Sequence, residues 1–281
     1  MNPIIRRLAL EEIGLVTAGV LALEPTMTAP DSAEPGSAEL PYYRALRQTL
    51  KPQRKMLVDG TTVIPVSGIL ARKPHVVEMA FYGVEDSDSI RQMIEDARRD
   101  PDTTGAILEV DSPGGMVTGG LEVSDAAEAL AKDKPMVTWI SGLGASLGYH
   151  IASAGSRVIA NRSAMVGSIG TIISYLDWTR YLKEKGIDPV VVTNKDAHLK
   201  ATTAPGVEMD KRRMAYLQQR VEDCAAEFHA TIKRRRGSLN EEAKSGAVYI
   251  AERAQELGLI DGIGGLDWAV ANLRDLARSR R

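Results

Sequence analysis

The 281-residue chain has one cysteine, Cys224, which excludes an internal disulfide and any cysteine-rich metal centre. Histidine is nearly as scarce. His75, His150, His198 and His229 stand far apart, without the spacing a zinc site draws on, so neither a metal nor another cofactor is expected. Two phenylalanines and three tryptophans leave a core built from Val, Ile, Leu and Ala, which suits a parallel sheet covered by helices. Excess charge is missing as well: a formal net charge of −2 gives no field that would recruit nucleic acid or an acidic membrane. No apolar run is long enough to span a bilayer. The nearest, Ile13 to Leu23, follows Arg6-Arg7, but Glu11 and Glu12 interrupt the acid-free basic start a secretory signal prefers. It reads as an amphipathic or weakly ordered N-terminal helix. A soluble, cytoplasmic protein without a stable membrane anchor is the expectation, with a membrane-associated or periplasmic one as the alternative.

What the chain does contain is alternation. Residues 1–54 read as that helix and a Pro/Ala/Ser-rich linker over Glu24–Pro41, with a short surface helix over Tyr42–Lys55. From 55 to 275 the pattern is that of one folded domain. Strands are expected at 61–66, 106–110, 136–140, 158–160, 169–173 and 190–192, and helices over 87–99, 117–131, 175–185 and 210–236. Pro65 favours an edge or a strand end. Asp111-Ser112-Pro113-Gly114-Gly115 reads as breaking the second strand. This order predicts an α/β architecture with mostly parallel pairing. In the 210–236 helix, Met214, Leu217, Val221, Cys224, Phe228 and Ile232 form one stripe that Gly237 ends. At about 1.5 Å per residue it is about 40 Å long, and such a stripe packs against another subunit or within a core. Glu252–Asn272 is a helix, a glycine turn and a last helix, followed by a basic tail over 276–281.

The richest stretch is Gly142–Gly155. An apolar strand runs through a glycine-rich bend into helical spacing at Leu147, Ile151 and Ala154, with Ser146 at the junction. The first N–H groups of a helix lack partners within it, so negative charge developing beside Ser146 would meet free donors. Close packing of small residues is the plainer reading of the same stretch. A serine nucleophile also needs a base. His150 is one helical turn on, but side chains lean toward the helix N-terminus and no Asp stands near to orient it, so packing or capping suits it better. A lysine kept neutral by burial is the other solution, and Lys195 and Lys200 both fall in a polar loop where such a residue could fold back. In isolation, each reads more simply as a surface charge.

Five segments then occur in order over about residues 56–270: D-S-P-G-G at 111–115, A-S-L-G-Y at 145–149, G-S-I-G at 167–170, H-L-K-A-T-T-A-P at 198–205 and A-E-R-A-Q-E-L-G-L-I-D-G-I-G-G at 251–265. Through them the chain resembles the signal peptide peptidase A family of serine proteases, in particular its phage and prophage capsid-protease branch. The resemblance implies a Clp protease/crotonase-like fold, with parallel sheet layers flanked by helices and a projecting long helix. It makes Ser146 the nucleophile, Lys200 the general base and Ser168 the residue that orients the lysine amine. The N–H of Leu147 and that of Gly114 or Gly115 become the oxyanion hole. Lys200 is preferred to Lys195 for its five-residue spacing to Pro205. Two features depart from the family pattern: bulky Leu147 follows the serine, and Leu199 is inserted between His198 and the lysine.

The implied reaction is peptide hydrolysis through an acyl-enzyme, with Lys200 held neutral by burial and a protein or peptide substrate. The resemblance implies a homo-oligomer with sites near subunit contacts, the 210–236 helix being a candidate contact, and a role in phage capsid or scaffold processing. Degradation of leftover signal peptides is the alternative. From other classes, a crotonase-like acyl-CoA enzyme or an inactive scaffold or capsid assembly component would share the fold.

Overall fold

The computed structural model describes residues 48–57 and 59–280. Of the N-terminal segment expected over residues 1–54, residues 1–47 lie outside the described residues; of the surface helix expected over 42–55, residues 48–50 are helical, 51–54 are not, and Lys55 opens the first strand. In chain order the elements are β1 (Lys55–Met56), β2 (Thr61–Ala71), α1 (Val76–Tyr82), β3 (Val84–Asp86), α2 (Ser87–Arg99), β4 (Gly105–Gly115), α3 (Val117–Asp133) and β5 (Met136–Ala145). There follow α4 (Leu147–Ala152), β6 (Arg157–Ala160), β7 (Met165–Gly167), α5 (Thr179–Glu184), α6 (Lys211–Arg236), β8 (Val248–Ile250), α7 (Ala251–Glu256), β9 (Gly262–Ile263) and α8 (Leu266–Ser279). The strands form one sheet with the order β1-β2-β4-β5-β6-β9; β3 pairs with β2, and β7 lies between β5 and β8. Pairing is parallel except at β1–β2 and β7–β8. The mixed α/β fold with a mostly parallel sheet matches the sequence reading.

Alternation along the strands sorts the core into two layers. Ile64, Val66, Leu108, Val110 and Ile140 face one way, into a cluster with Ile90 and Ile94 of α2, Val123, Ala127 and Leu130 of α3, and the residues of α4. Their neighbours Val63, Ile107, Val137 and Ile159 face the other way and are covered by Ala269 and Leu273 of α8. Each such side chain removed from water contributes about 1.5–3 kcal/mol, so the sheet centre is where the fold is fixed. Helix α2 shows how local chemistry sets its ends. Asp86 caps it, accepting from Asp88 N at 3.3 Å and Ser89 Oγ at 2.8 Å, while Arg98 and Arg99 complement the carbonyl end. Pro65 stands beside Glu109 of β4, past the β1 pairing and short of the β3 pairing on its other flank. That is a local edge inside a long strand, where a missing N–H costs little.

Several boundaries differ from expectation. Asp111–Gly115 does not break β4. The strand runs on to Gly115, and the motif is absorbed by register shifts at Val110/Ser112 and at Ser67/Ile69. The expected strand 169–173 is absent; β7 pairs at 165–167, and Ser168, with φ 51°, turns the chain out of the ladder. Residues 190–192 are not a strand either: Val190 and Val192 are 85% and 87% exposed, with no neighbouring edge to join. β-branched composition is not enough where no strand offers a partner. The helix expected over 175–185 shortens to α5, and α8 continues to Ser279, so 276–279 of the expected basic tail are its last turn.

The long helix is present as predicted, with Asp210 capping it and Gly237 at φ 77° ending it. Its stripe is only partly used. Phe228 and Ile232 are buried near the C-terminal end and Leu217 near the start, while Met214 is exposed, so the helix projects from the domain.

The last loop is tied to the centre by Tyr149, fully buried in α4, whose hydroxyl donates to Leu259 O at 2.8 Å. Replacing Tyr149 by Phe leaves that buried carbonyl unpaired. We expect the unfolding free energy to fall by about 1–3 kcal/mol, read as a lower denaturant midpoint at unchanged slope.

Candidate active site

Parallel strands end together, and here β5 and β7 end on two serines. Ala145 pairs with Gly167, so Ser146 and Ser168 each follow one member of the last pair of that ladder. Both carry φ 51°, a left-handed conformation that ordinary side chains avoid. Ser146, with ψ −126°, is held there by its N–H donating to Gly167 O at 2.9 Å; Ser168 N–H donates to Ala247 O at 2.7 Å. Neither hydroxyl has a hydrogen-bond partner among the described residues, and both side chains are half-buried. Ser146 therefore sits on a strained turn immediately before α4, with its oxygen uncommitted.

The end of β4 closes the other side. Gly114 has φ 103°, and a Cβ on it would stand 2.8 Å from Ser146 Cβ and 2.9 Å from Leu147 N. Only glycine permits that approach. The Gly114 N–H is already engaged, donating to Ser112 Oγ at 3.1 Å. Met116 N–H donates to Leu70 O at 2.8 Å, across the β2 flank. Backbone groups alternate flanks along a strand, so the preceding Gly115 N–H turns the other way, toward β5. Of the two glycines the sequence left open, Gly114 is the one whose N–H is engaged by a side chain. Leu147 N–H, in the first turn of α4, has no helical carbonyl to reach. The bulk of Leu147 does not narrow the site, because its side chain is buried against Gly120.

His150 is turned away from Ser146. Its Nδ1 lies 2.8 Å from Ser124 Oγ of α3, and its ring meets Phe228 of α6 edge-on at 4.9 Å. Arg235, its side chain only 6% exposed, donates to His150 O at 2.9 Å and to Ser124 Oγ at 2.8 Å, and is paired with Glu128 at 2.7 Å. His150 Nε2 lies 3.4 Å from a Glu227 carboxylate oxygen without forming a hydrogen bond. Burial, then the Arg235 and Arg234 charges, outweigh that attraction and push the imidazole pKa down to about 4. His150 is a packing residue, as its helical position suggested, and its network fastens α4 to α3 and α6.

The lysines are elsewhere. Lys195 and Lys200 are exposed on the turns after residue 192, and Lys200 lines a cavity of about 390 Å³ with Val191, His198 and Arg213. The structure shows no hydrogen bond from Lys200 to Ser146 or Ser168. The burial expected for Lys200 is absent in the single chain, where its turn lies at the surface. Ser146, Gly114 and Leu147 are thus brought together, Ser168 follows the strand paired with β5, and Lys200 makes no hydrogen bond to either serine. The residue overlooked in the sequence is Ser112, visible only as a letter inside D-S-P-G-G. Among the described residues, no cluster of His, Cys, Asp or Glu could hold a metal ion, and no helix is long and apolar enough to cross a membrane.

The family model for peptidase family S49 matches residues 128–280, more than half of the chain, and includes Ser146, Ser168 and Lys200. The chain belongs to peptidase family S49. Among relatives of this S49 chain, a putative protease of Methanocaldococcus jannaschii is 31% identical over 66% of the chain and 60% of that protein. Capsid assembly protease C of Escherichia phage lambda is 26% identical over 80% of the chain and 51% of that protein. A putative signal peptide peptidase of Enterococcus faecium is 29% identical over 63% and 52%. The S49 chain thus spans about half the length of the curated relatives it matches. A solved enoyl-CoA hydratase/isomerase family member is similar at 17% identity and a TM-score of 0.42, covering 82% of this chain and 76% of that one, a likeness that carries no argument about chemistry.

The neutral, buried imidazole gives a signed expectation. The unfolded chain binds a proton at His150 near pH 6.5 and the folded chain only near pH 4. Stability is full above the unfolded value and is lost as pH falls through this window. A His150→Asn variant should lose part of that slope in denaturant titrations between pH 7 and 4, and an unchanged slope would locate the acid sensitivity elsewhere.

Proposed function

We propose that the chain is a serine endopeptidase working through a Ser146–Lys200 dyad. The observation that carries this reading is the backbone at Ser146: a left-handed serine at a strand-to-helix junction, its hydroxyl free, with Gly114 packed against it and the first N–H of α4, that of Leu147, following it. Strain at such a junction makes sense where an exposed nucleophile must stand beside fixed donors. A neutral Lys200 amine takes the Ser146 proton as Oγ bonds to the substrate carbonyl carbon. The resulting oxyanion is held by the backbone N–H groups of Leu147 and Gly115. The lysine then returns the proton to the leaving amine as the peptide C–N bond breaks, and water hydrolyses the acyl-enzyme by the same route. Ser168, beside Ser146, orients the amine.

The amine arrives across a contact between two copies of the chain. Lys200 is exposed in one copy, and the segment leading to it exposes Ile172, Leu176, Ile187, Val190 and Val192. A second copy laid over this segment would bury the apolar residues and remove Lys200 from water, which disfavours its charged form. The relative named as a phage capsid assembly protease supports a capsid or scaffold protein as substrate. The relative named as a putative signal peptide peptidase supports signal-peptide degradation as the second reading.

We expect Ser146→Ala and Lys200→Ala each to abolish casein or peptide cleavage in a folded protein, and Lys195→Ala to retain it. Turnover by Ser146→Ala would remove the nucleophile; loss in Lys195→Ala but not Lys200→Ala would reassign the base. Mixing the two inactive variants should restore part of the activity, since some contacts then join an intact serine to an intact lysine. A mixture as inactive as its components would place both groups within one chain.

A further inference from the structure

Ser112 is fully buried, next to the proposed oxyanion hole, and touches every element that builds it. Its hydroxyl donates to Gly68 O, at the register shift in β2, at 2.7 Å, and accepts from Gly114 N–H at 3.1 Å. It pairs with Gly144 of β5, two residues before Ser146. Its backbone also meets α4: a Cβ on Gly148 would stand 2.7 Å from Ser112 O and 3.1 Å from Ser112 Cβ. One small side chain therefore fixes the turn Pro113-Gly114-Gly115 to β2 on one side and to the nucleophile's strand and helix on the other.

We propose that Ser112 is a positioning residue that holds the Gly114 amide on its own hydroxyl so that the Gly115 N–H, and not that of Gly114, points at the oxyanion. The reasoning rests on the serine-protease reading above. Two consecutive glycines have wide backbone freedom, and a flip of the peptide between them would turn the Gly115 N–H out of the site and the Gly114 carbonyl into it. Past the register shift, pairing with β2 resumes at Ile69↔Gly114 and Leu70↔Gly115, and Met116 N–H donates to Leu70 O. Across that shift, the Ser112 hydroxyl is the side-chain group that holds an amide, that of Gly114. An acceptor there stops Gly114 N–H from turning into the site. Its own proton is spent on Gly68 O, so the hydroxyl offers Gly114 a lone pair and no competing donor. The hydroxyl touches no reacting atom; it acts through Gly115.

The role predicts a defect in the rate of acylation rather than in substrate binding. Loss of one oxyanion donor costs about 100- to 1,000-fold in kcat, and a donor misplaced by about 1 Å costs up to about 100-fold. For Ser112→Ala in the full chain we expect kcat on a peptide substrate to fall about 10- to 100-fold with KM within about twofold, and phosphonylation of Ser146 by a fluorophosphonate to slow in parallel. Ser112→Cys keeps the volume and a weak acceptor, so it should fall between the wild type and Ser112→Ala, and it carries the test if the alanine variant does not fold. If the foldable variants label and turn over at the wild-type rate, or lose activity through KM alone, the proposal is overturned while the protease reading stands. If the wild-type chain forms no adduct at Ser146 and cleaves nothing, the protease reading falls and this proposal with it.

Discussion

Everything in the site depends on a backbone constraint at the end of β5. Ser146 takes a φ that an L-residue occupies only under compulsion, and the compulsion is visible. The β5–β7 ladder presents Gly167 O to its N–H, Gly114 crowds its Cβ, and α4 begins one residue later with every one of its side chains buried. Such a residue stores about 1–3 kcal/mol of strain, which the packed sheet and helix offset. The effect is to set one hydroxyl at the junction of strand and helix, against Gly114 and the first N–H of α4.

The same constraint explains the distribution of polar groups behind the site. A helix of six residues has little stability of its own. Helix α4 is held by Tyr149 to the last loop, and by the carbonyl of His150 to Arg235 at the far end of α6. Arg235 is in turn neutralised by Glu128, whose carboxyl its arginine and lysine neighbours hold well below the usual range despite burial. Removing one partner of a buried ion pair is far more costly than the pair is worth, so this cluster acts as an anchor that keeps α4, and with it Ser146, in a single place.

Much of this was legible in the sequence, and the reasons for the rest are physical. The central strands and α2 show their apolar spacing and caps openly, because burial is what selected those residues. Residues 190–192 look equally strand-like, yet strand formation needs a partner edge, which no local pattern records. The strand-ending role assigned to D-S-P-G-G failed for a related reason: bulges in two adjacent pairs accommodate the proline and glycines. Ser146 could be singled out from the glycine-rich bend and Lys195 and Lys200 from their polar loop, whereas Ser168 and the preference for Lys200 were reached only through family resemblance. Ser112 and Arg235 were invisible, since their roles consist of distances to backbone atoms 44 and 85 residues away.

The claim that Ser146 is a nucleophile poised beside two amide donors is tested most directly by a crystal structure of the assembled protein with a peptide aldehyde. The account predicts a covalent bond from Ser146 Oγ to the aldehyde carbon. The hemiacetal oxygen should lie about 2.7–3.1 Å from the nitrogens of Leu147 and Gly115, and a Lys200 amine should be within hydrogen-bond reach of Oγ. An aldehyde bound to another residue, or an oxygen facing solvent away from both nitrogens, would contradict it.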